Sequence, residues 1–329
     1  MTSAKQNKHI FVRSLSCLVI CACVAFAFIF VDWTIVVDRF AAIGFEPTAE
    51  ISSLEQELNL TSRARAIFAA SRPTINGSDT FNQSCLSTNR EISILGCYDG
   101  KHIYIYNIDN PDLTGIKQST LAHELLHAAW DRMSASDQNR LKPELDSIYL
   151  ANLDELQPRL TLYSSDNFHN ELHSIIGTEF AELPLELGKH YAKYFNNQNV
   201  VVAFFDNYND KFRILKAQAD VLYEQIESNQ EIIDAKSANY DDASHELIAA
   251  IADFNRRAES GYFSSTAAFQ AERITLVTKQ QQLSQLYDEI AALIDTTNKL
   301  IGEYNSNVAR TQILLDSVNS NASPAPPID

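Results

Sequence analysis

Two histidines four residues apart, His123 and His127, enclose Glu124 in the run STLAHELLHAAWD (119–131). On an α-helix that spacing puts both imidazoles on one face. Two neutral imidazoles supply half of a tetrahedral zinc site. Glu124 adjoins the first histidine but is turned about 100° around the helix, since a turn holds about 3.6 residues. From there its carboxylate reaches a metal-held water rather than the metal. Zinc lowers the pKa of such a water toward 7, and the glutamate can take its proton as it attacks a peptide carbonyl. The chemistry implied is hydrolysis of a protein or peptide substrate, with Zn2+ as cofactor and Glu124 as catalytic base.

The bare pattern is only moderately specific. With eight histidines in 329 residues, it arises by chance in roughly one such chain in a hundred. The chain holds a decoy, because His245-Glu246-Leu247 repeats the start of the pattern but has Ala249 at the second histidine position. The setting of His123 is different. Thr120, Leu121, Ala122, Leu125, Leu126, Ala128 and Ala129 are uncharged, so the helix reads as buried. Polar groups kept inside need a reason. The blander alternative is two core histidines beside a salt-bridged glutamate.

A third ligand is sought downstream, in a helix that begins near Asp166-Asn167, capped by Ser165 or Asp166, and runs through FHNELHSIIGTEFAEL to Pro184. Three sets of residues compete for the role. One is Glu171. Another is Glu179, which sits at the centre of the apolar face with Phe168, Leu172, Ile176 and Leu183, and which could instead hold a zinc histidine from behind. The third is the pair His169 and His173, again four apart.

The histidine motif resembles that of the zincin superfamily of metallopeptidases. Asn170-Glu171-x-x-Ser174 is similar to the Asn-Glu-x-x-Ser-Asp signature of the thermolysin-like gluzincins. The resemblance implies Glu171 as the third metal ligand beside His123 and His127. Gly177-Thr178 is similar to a Gly-Thr pair of thermolysin, displaced by one residue. Two departures stand out. Ile175 replaces the aspartate that orients a zinc histidine in that family, and the gap from His127 to Glu171 is about twice as long, making 137–153 an inserted helix. Zincins often stabilise the oxyanion with a Tyr or His, for which Tyr163, His173 and Tyr191 are candidates of equal standing. A zincin strand ahead of the active-site helix pairs with extended substrate, and HIYIYNI (102–108) holds that place. The flanks LGCY and LAHELLHAAW also look like those of a group of bacterial membrane-anchored metallopeptidases. The resemblance spans roughly residues 85 to 195.

Other elements must position these groups. PTAEISSLEQEL (47–58) and TSRARAIFAAS (61–71) read as short helices opened by Thr48 and by Thr61 or Ser62. Runs 91–98 and 102–108 flank Asp99-Gly100, which suits a two-residue hairpin turn. Pro143 fits the first turn of a helix over PELDSIYLANL. From about residue 205 apolar residues recur in heptads. Ala219, Ile226, Ile233, Tyr240, Leu247 and Phe254 form one series, accompanied by Leu215 and Leu222. Phe269, Leu276, Leu283 and Ile290 form another, accompanied by Leu286, Leu293, Leu300 and Leu314. ESGYFSST (259–266) separates them, and Asn229, Lys236 and Thr297 interrupt the seams. This is the pattern of an antiparallel coiled-coil hairpin.

The N-terminus sets the location. Lys5, Lys8 and Arg13 precede an apolar run from 14 to about 37, long enough to span a bilayer. Continued hydrophobicity past AFA (25–27) favours a retained anchor over a cleaved signal peptide. The positive-inside rule then leaves 1–13 in the cytoplasm and exports the rest. Cys85 and Cys97, the only cysteines beyond that run, are expected to form a disulfide outside the cytosol. The net charge of −16 argues against nucleic acid or anionic lipid as a partner.

The expected protein is mainly α with a small β-hairpin or sheet, an α+β zincin-like domain over 38–204. A helical hairpin over 205–319 and a disordered tail over 320–329 follow, and a transmembrane signal-anchor over 14–37 precedes. Two rival functions share this organisation. One is an envelope scaffold whose coiled coil binds a partner protein, with zinc structural or lost. The other is an amidase acting on cell-wall peptides.

Overall fold

Polar caps open the first helices where the sequence places them. In the computed structural model, which describes residues 33–85, 95–161, 163 and 167–320, helix α1 covers Trp33–Ala41 and α2 covers Ala49–Glu57. The hydroxyl of Thr48 accepts from the Ile51 amide at 3.3 Å. Helix α3, Ser62–Ala70, is capped in the same way by Thr61. Most of the expected span 14–37 lies outside the described residues, and residues 33–37 open α1. Among the described residues no helix is long and apolar enough to cross a membrane.

After α3 come β1 (Thr74–Asn76), α4 (Ser78–Ser84), β2 (Gly96–Tyr98) and β3 (Ile103–Tyr106). The hairpin forms as read, with Gly96 opposite Ile105, Cys97 opposite Tyr104 and Tyr98 opposite Ile103. Its turn is shifted by one residue. Asp99 and His102 still bond across it, so Gly100 and Lys101 make the loop, with Gly100 at a φ of 91°. The Asp99 carboxylate takes the Lys101 and His102 amides instead of leading the turn. Strand β1 pairs in parallel with β3 and makes β3 the centre of a three-stranded sheet. That corrects the expectation for HIYIYNI. Both its edges are paired, and among the described residues the outer edges belong to β1 and β2.

The next helices are α5 (Ile116–Asp131), α6 (Ala135–Ala151), α7 (Leu153–Leu160), α8 (Phe168–Glu179) and α9 (Leu185–Tyr191). Pro143 lies in the interior of α6 rather than its first turn. The helix starts earlier because Ser134 accepts from the Asp137 amide at 3.1 Å, an N-cap written in the sequence as Ser-Ala-Ser-Asp. The proposed caps Ser165 and Asp166 lie outside the described residues.

Helix α5 is the centre of the core. Leu121, Ala122, Leu125, Leu126, Ala128 and Ala129 are all buried. It packs chiefly against α8 and also meets the hairpin strands, α2 and α3. Two glycines let it come close to its neighbours. A Cβ on Gly96 would lie 2.7 Å from Thr120 Cγ2 and 2.8 Å from Glu124 Cγ. One on Gly177 would lie 2.4 Å from Leu126 Cδ1 and 2.5 Å from Tyr191 Cε1. At the end of α5, Arg132 donates through Nε to Asp38 of α1 at 2.8 Å and through Nη1 to the Tyr98 hydroxyl at 3.2 Å.

Two long helices follow, α10 (Gln198–Glu259) and α11 (Thr266–Val318). By contact the chain separates into the unit Asp210–Leu315 and the remainder, so α10 begins before the expected boundary at 205. Within Asp210–Leu315 the helices run antiparallel. Gln218 bonds Asn307 at 3.2 Å, Lys236 bonds Glu289 at 2.7 Å, and the Phe254 and Phe269 rings lie 5.0 Å apart. Leu215, Ile233, Leu247, Phe254, Ile290 and Leu314 are buried on the heptad seam. Lys236 is tolerated because the ion pair with Glu289 carries its ammonium out of the seam. Of the expected tail, Ser320 is held, its carbonyl accepting from Asn82 at 2.8 Å.

Cys85 and Cys97 are joined, and with Phe81 they form a small buried cluster against Tyr104 and Tyr106. The bond ties the end of α4 to the middle of β2. Chain entropy for a loop of this length amounts to about 3 kcal/mol. Replacing both cysteines by serine is therefore expected to lower the unfolding free energy by about that amount, read from denaturant midpoints at an unchanged m-value.

Candidate metal centre

The helical spacing of four brings His123 and His127 to one face of α5, and α8 crosses that face with Glu171. The Nε2 atoms of the histidines are 3.1 Å apart. Glu171 spans them, with Oε1 at 3.4 Å from His123 Nε2 and Oε2 at 3.3 Å from His127 Nε2. A tetrahedral ion with bonds of about 2.0–2.1 Å has edges of about 3.3–3.4 Å between its ligands. The contacts are close to that edge length, with a different carboxylate oxygen facing each histidine, and one ligand atom from each residue lies within 4.8 Å of the others. The three residues are a group able to hold a metal ion. The fourth direction meets a cavity of about 450 Å3 lined by all three residues and by Glu124, Tyr163 and Asn170.

Asn170 orients the centre. Its Oδ1 lies 2.9 Å from His127 Nδ1. An amide oxygen can only accept, so Nδ1 carries the proton and the Nε2 lone pair faces the metal position. The neighbouring Glu171 drew attention in the sequence while Asn170 had no assigned role. It supplies to His127 the kind of second contact that Ile175 cannot make.

The two carboxylates of the site are driven in opposite directions. Burial alone would raise Glu171, but the His123 charge and hydrogen bonds from both histidines hold it far below the usual carboxylate range. Burial also dominates at Glu124, 6% exposed, and there it prevails. The histidine charges and the Tyr98 amide offset it only in part, so Glu124 stands above its ordinary value. For His127, burial is outweighed by the hydrogen bond to Glu171 and the charges of Glu124 and Glu171, raising it to about 9. In the metal-free chain a proton on His127 thus occupies the space between the three ligands.

The other candidates lie elsewhere. Glu179 is taken by Arg159 of α7, at 2.6 and 2.7 Å, and this pair lines a different part of the cavity. His169 lies 3.0 Å from Asp146 of α6. His173 is fully buried, its Nε2 2.8 Å from Nε2 of His190, with the Tyr191 ring stacked on it. The Tyr191 hydroxyl donates to the His173 carbonyl at 2.7 Å. Of the three oxyanion candidates only Tyr163 lines the cavity. Burial and the charges of Glu171 and Glu124 push its phenol up, keeping it protonated, and it is hydrogen-bonded to Glu171. Arg159 and Tyr208 are cavity residues that carried no local signal. Their contribution depends on the fold bringing α7 and the start of α10 to the same wall.

The free edge of β2 lines the same cavity. Leu95 and Asp99 bond back to β3, so pairing alternates and Gly96 and Tyr98 direct their backbone groups outward. The Tyr98 amide meets the Glu124 carboxylate. A comparison of the chain with family models, curated proteins and solved structures gave no match. The geometry alone therefore describes the site: two histidines and one glutamate that could hold a metal ion, with an adjacent buried carboxylate.

Two outcomes follow from this arrangement. A metal needs neutral His127, whose proton is held up to pH of about 9. Binding at neutral pH should release close to one proton, measured by calorimetry in buffers of different ionisation enthalpy, and release should fade above that pH. Gly177→Ala should push α8 away from α5, costing about 1–3 kcal/mol by overpacking. Weaker metal binding should accompany the loss of thermal stability.

Proposed function

We propose that this chain is a zinc-dependent peptidase, with His123, His127 and Glu171 as the metal ligands and Glu124 as the catalytic base. The observation that carries this reading is the open ligand face with a second, raised carboxylate beside it. A structural zinc site is closed by four protein ligands, whereas a catalytic one keeps a position free. Among the described residues three ligands converge, and the cavity meets the remaining side.

A zinc ion held there supplies Lewis acidity and brings the pKa of a water at its free position toward 7. Glu124, buried beside the cavity with its pKa raised, would take a proton from an attacking water and return it to the leaving amine. Tyr163, kept protonated, is placed to donate to the developing oxyanion. An extended peptide would add to the free edge of β2 through the outward N–H and C=O of Gly96.

Glu124→Gln tests the assignment. The variant should keep near-stoichiometric zinc, since its side chain is not a ligand, and lose hydrolysis of an unfolded protein substrate by about 10²–10⁴-fold. His123→Ala should lose both metal and activity. Full hydrolysis by the glutamine variant would remove Glu124 as the base. Peptidoglycan fragments assayed in parallel distinguish a cell-wall amidase, which would share the site.

The scaffold reading keeps one independent observation. Tyr287, Ile294, Ile301, Val308 and Leu315 recur every seven residues along α11 and are all exposed, the least of them 39%. A stripe of this kind suits a partner protein on the hairpin.

A further inference from the structure

Helix α1 is docked through one face only. Asp38, 6% exposed, is held there by Arg132, and the helix rests on α3. The other side carries Trp33, Val37 and Phe40 at positions i, i+4 and i+7, followed by Ile43, with exposures of 45, 64, 70 and 68%. These large apolar groups share one helix face.

A cationic pocket adjoins this face. It has a volume of about 370 Å3 and is lined by Ala41, Ala70, Arg72, Lys101, His102 and Arg132. Arg39 lies in the last turn of α1. In a chain with a net charge of −16 this is a local reversal of sign. Arg132 is matched by Asp38, and Asp99 lies 3.8 Å from His102. Arg39, Arg72 and Lys101 have no carboxylate partner among the described residues. Arg72 also keeps a φ of 42°, a left-handed conformation that is strained for a non-glycine residue. Its Nη2 donates to the carbonyls of Ala41 and Ile43 at 3.2 and 2.9 Å, which holds the guanidinium at the end of the apolar face.

We propose that this surface docks on a phospholipid bilayer, with Val37, Phe40 and Ile43 entering the boundary between headgroups and acyl chains and Arg72 and Lys101 binding lipid phosphate. An amphipathic helix of this kind lies in the interface plane, and Trp is a residue of that zone. The sequence supplies the reason for choosing lipid over a protein partner. The apolar run from 14 to about 37 leads into α1, so the segment expected to enter the bilayer joins the chain at this face. The inference rests on the anchor reading of that run and is independent of the peptidase reading.

The docking has a consequence for the metal centre. Asp38 bonds Arg132 at the end of α5, Arg132 bonds the Tyr98 hydroxyl, and the Tyr98 amide meets Glu124. Tyr98 lines the cavity, so one wall of it is tied to the lipid-facing helix.

The test uses the full chain reconstituted into phosphatidylcholine–phosphatidylglycerol vesicles in which part of the phosphatidylcholine is brominated near the headgroup. Phe40→Trp adds a reporter on the face, and Leu185→Trp adds one on α9, where the leucine is 72% exposed. Each is compared with the parent, whose tryptophans are Trp33 and Trp130. The reporter at 40 should be quenched severalfold more than the one at 185. Adding Arg72→Glu and Lys101→Glu should reduce that quenching while an unchanged thermal unfolding midpoint of the same preparation reports an intact fold. Equal quenching of the two reporters, in a chain that floats with the vesicles, overturns the docking proposal and leaves the anchor in place. A chain that does not float overturns both. Quenching untouched by the charge reversals overturns the phosphate contact.

Discussion

One carboxylate buried against two imidazoles is the constraint around which the metal-site unit is built. Glu171 sits 3.3–3.4 Å from both ring nitrogens, and such a cluster is costly to remove from water unless every member is paired. Pairing requires α8 to cross α5 closely. Gly177 permits that approach where Leu126 and Tyr191 press on it, and Gln198 ties the end of α8 by donating to the Gly177 and Phe180 carbonyls. The Tyr191 hydroxyl holds the His173 carbonyl on the same helix.

The same burial divides two glutamates into different chemical kinds. Glu171 lies against two imidazoles, which hold its pKa far below the usual carboxylate range. Glu124, packed against Gly96 with one backbone amide as its main neutral partner, is pushed the other way. Environments that drive two carboxylates apart are how a site obtains both a ligand and a base from one residue type. Here the difference comes from which side of α5 each faces: the crossing helix or the sheet edge.

Features set by local chemistry were legible in the sequence. The helical spacing of His123 and His127, the caps at Thr48 and Thr61, the hairpin turn near Asp99 and the heptads of the two long helices each depend on a few neighbouring residues. The pairing of Cys85 with Cys97 was legible by elimination. What was not legible depends on distant parts of the chain. Strand β1 is a three-residue run whose partner lies some thirty residues on, and it converts β3 from edge to centre. Pro143 read as a helix start because proline favours first turns, yet the stronger local device was the Ser134 cap. The apolar setting of Glu179 in its own helix concealed Arg159, which arrives from α7 and neutralises it. Glu171 was favoured through a resemblance, and its position among the histidines follows from the crossing of two helices, which no local pattern encodes.

The ion pair between Asp38 and Arg132 also bears on how this chain tolerates shortening. Trimming the N-terminus back to residue 42, the obvious way to free the metal-site unit from its apolar leader, would delete α1 and with it the carboxylate that Arg132 faces. A guanidinium 19% exposed would then be left with the Tyr98 hydroxyl and the Ala128 carbonyl as its close neutral contacts. Stranding one member of a buried pair costs about 3–5 kcal/mol, and the residual exposure of Arg132 places this case toward the lower end. The smallest autonomous form of the unit therefore starts before Asp38. Its solubility and its integrity are set against each other by a single side chain.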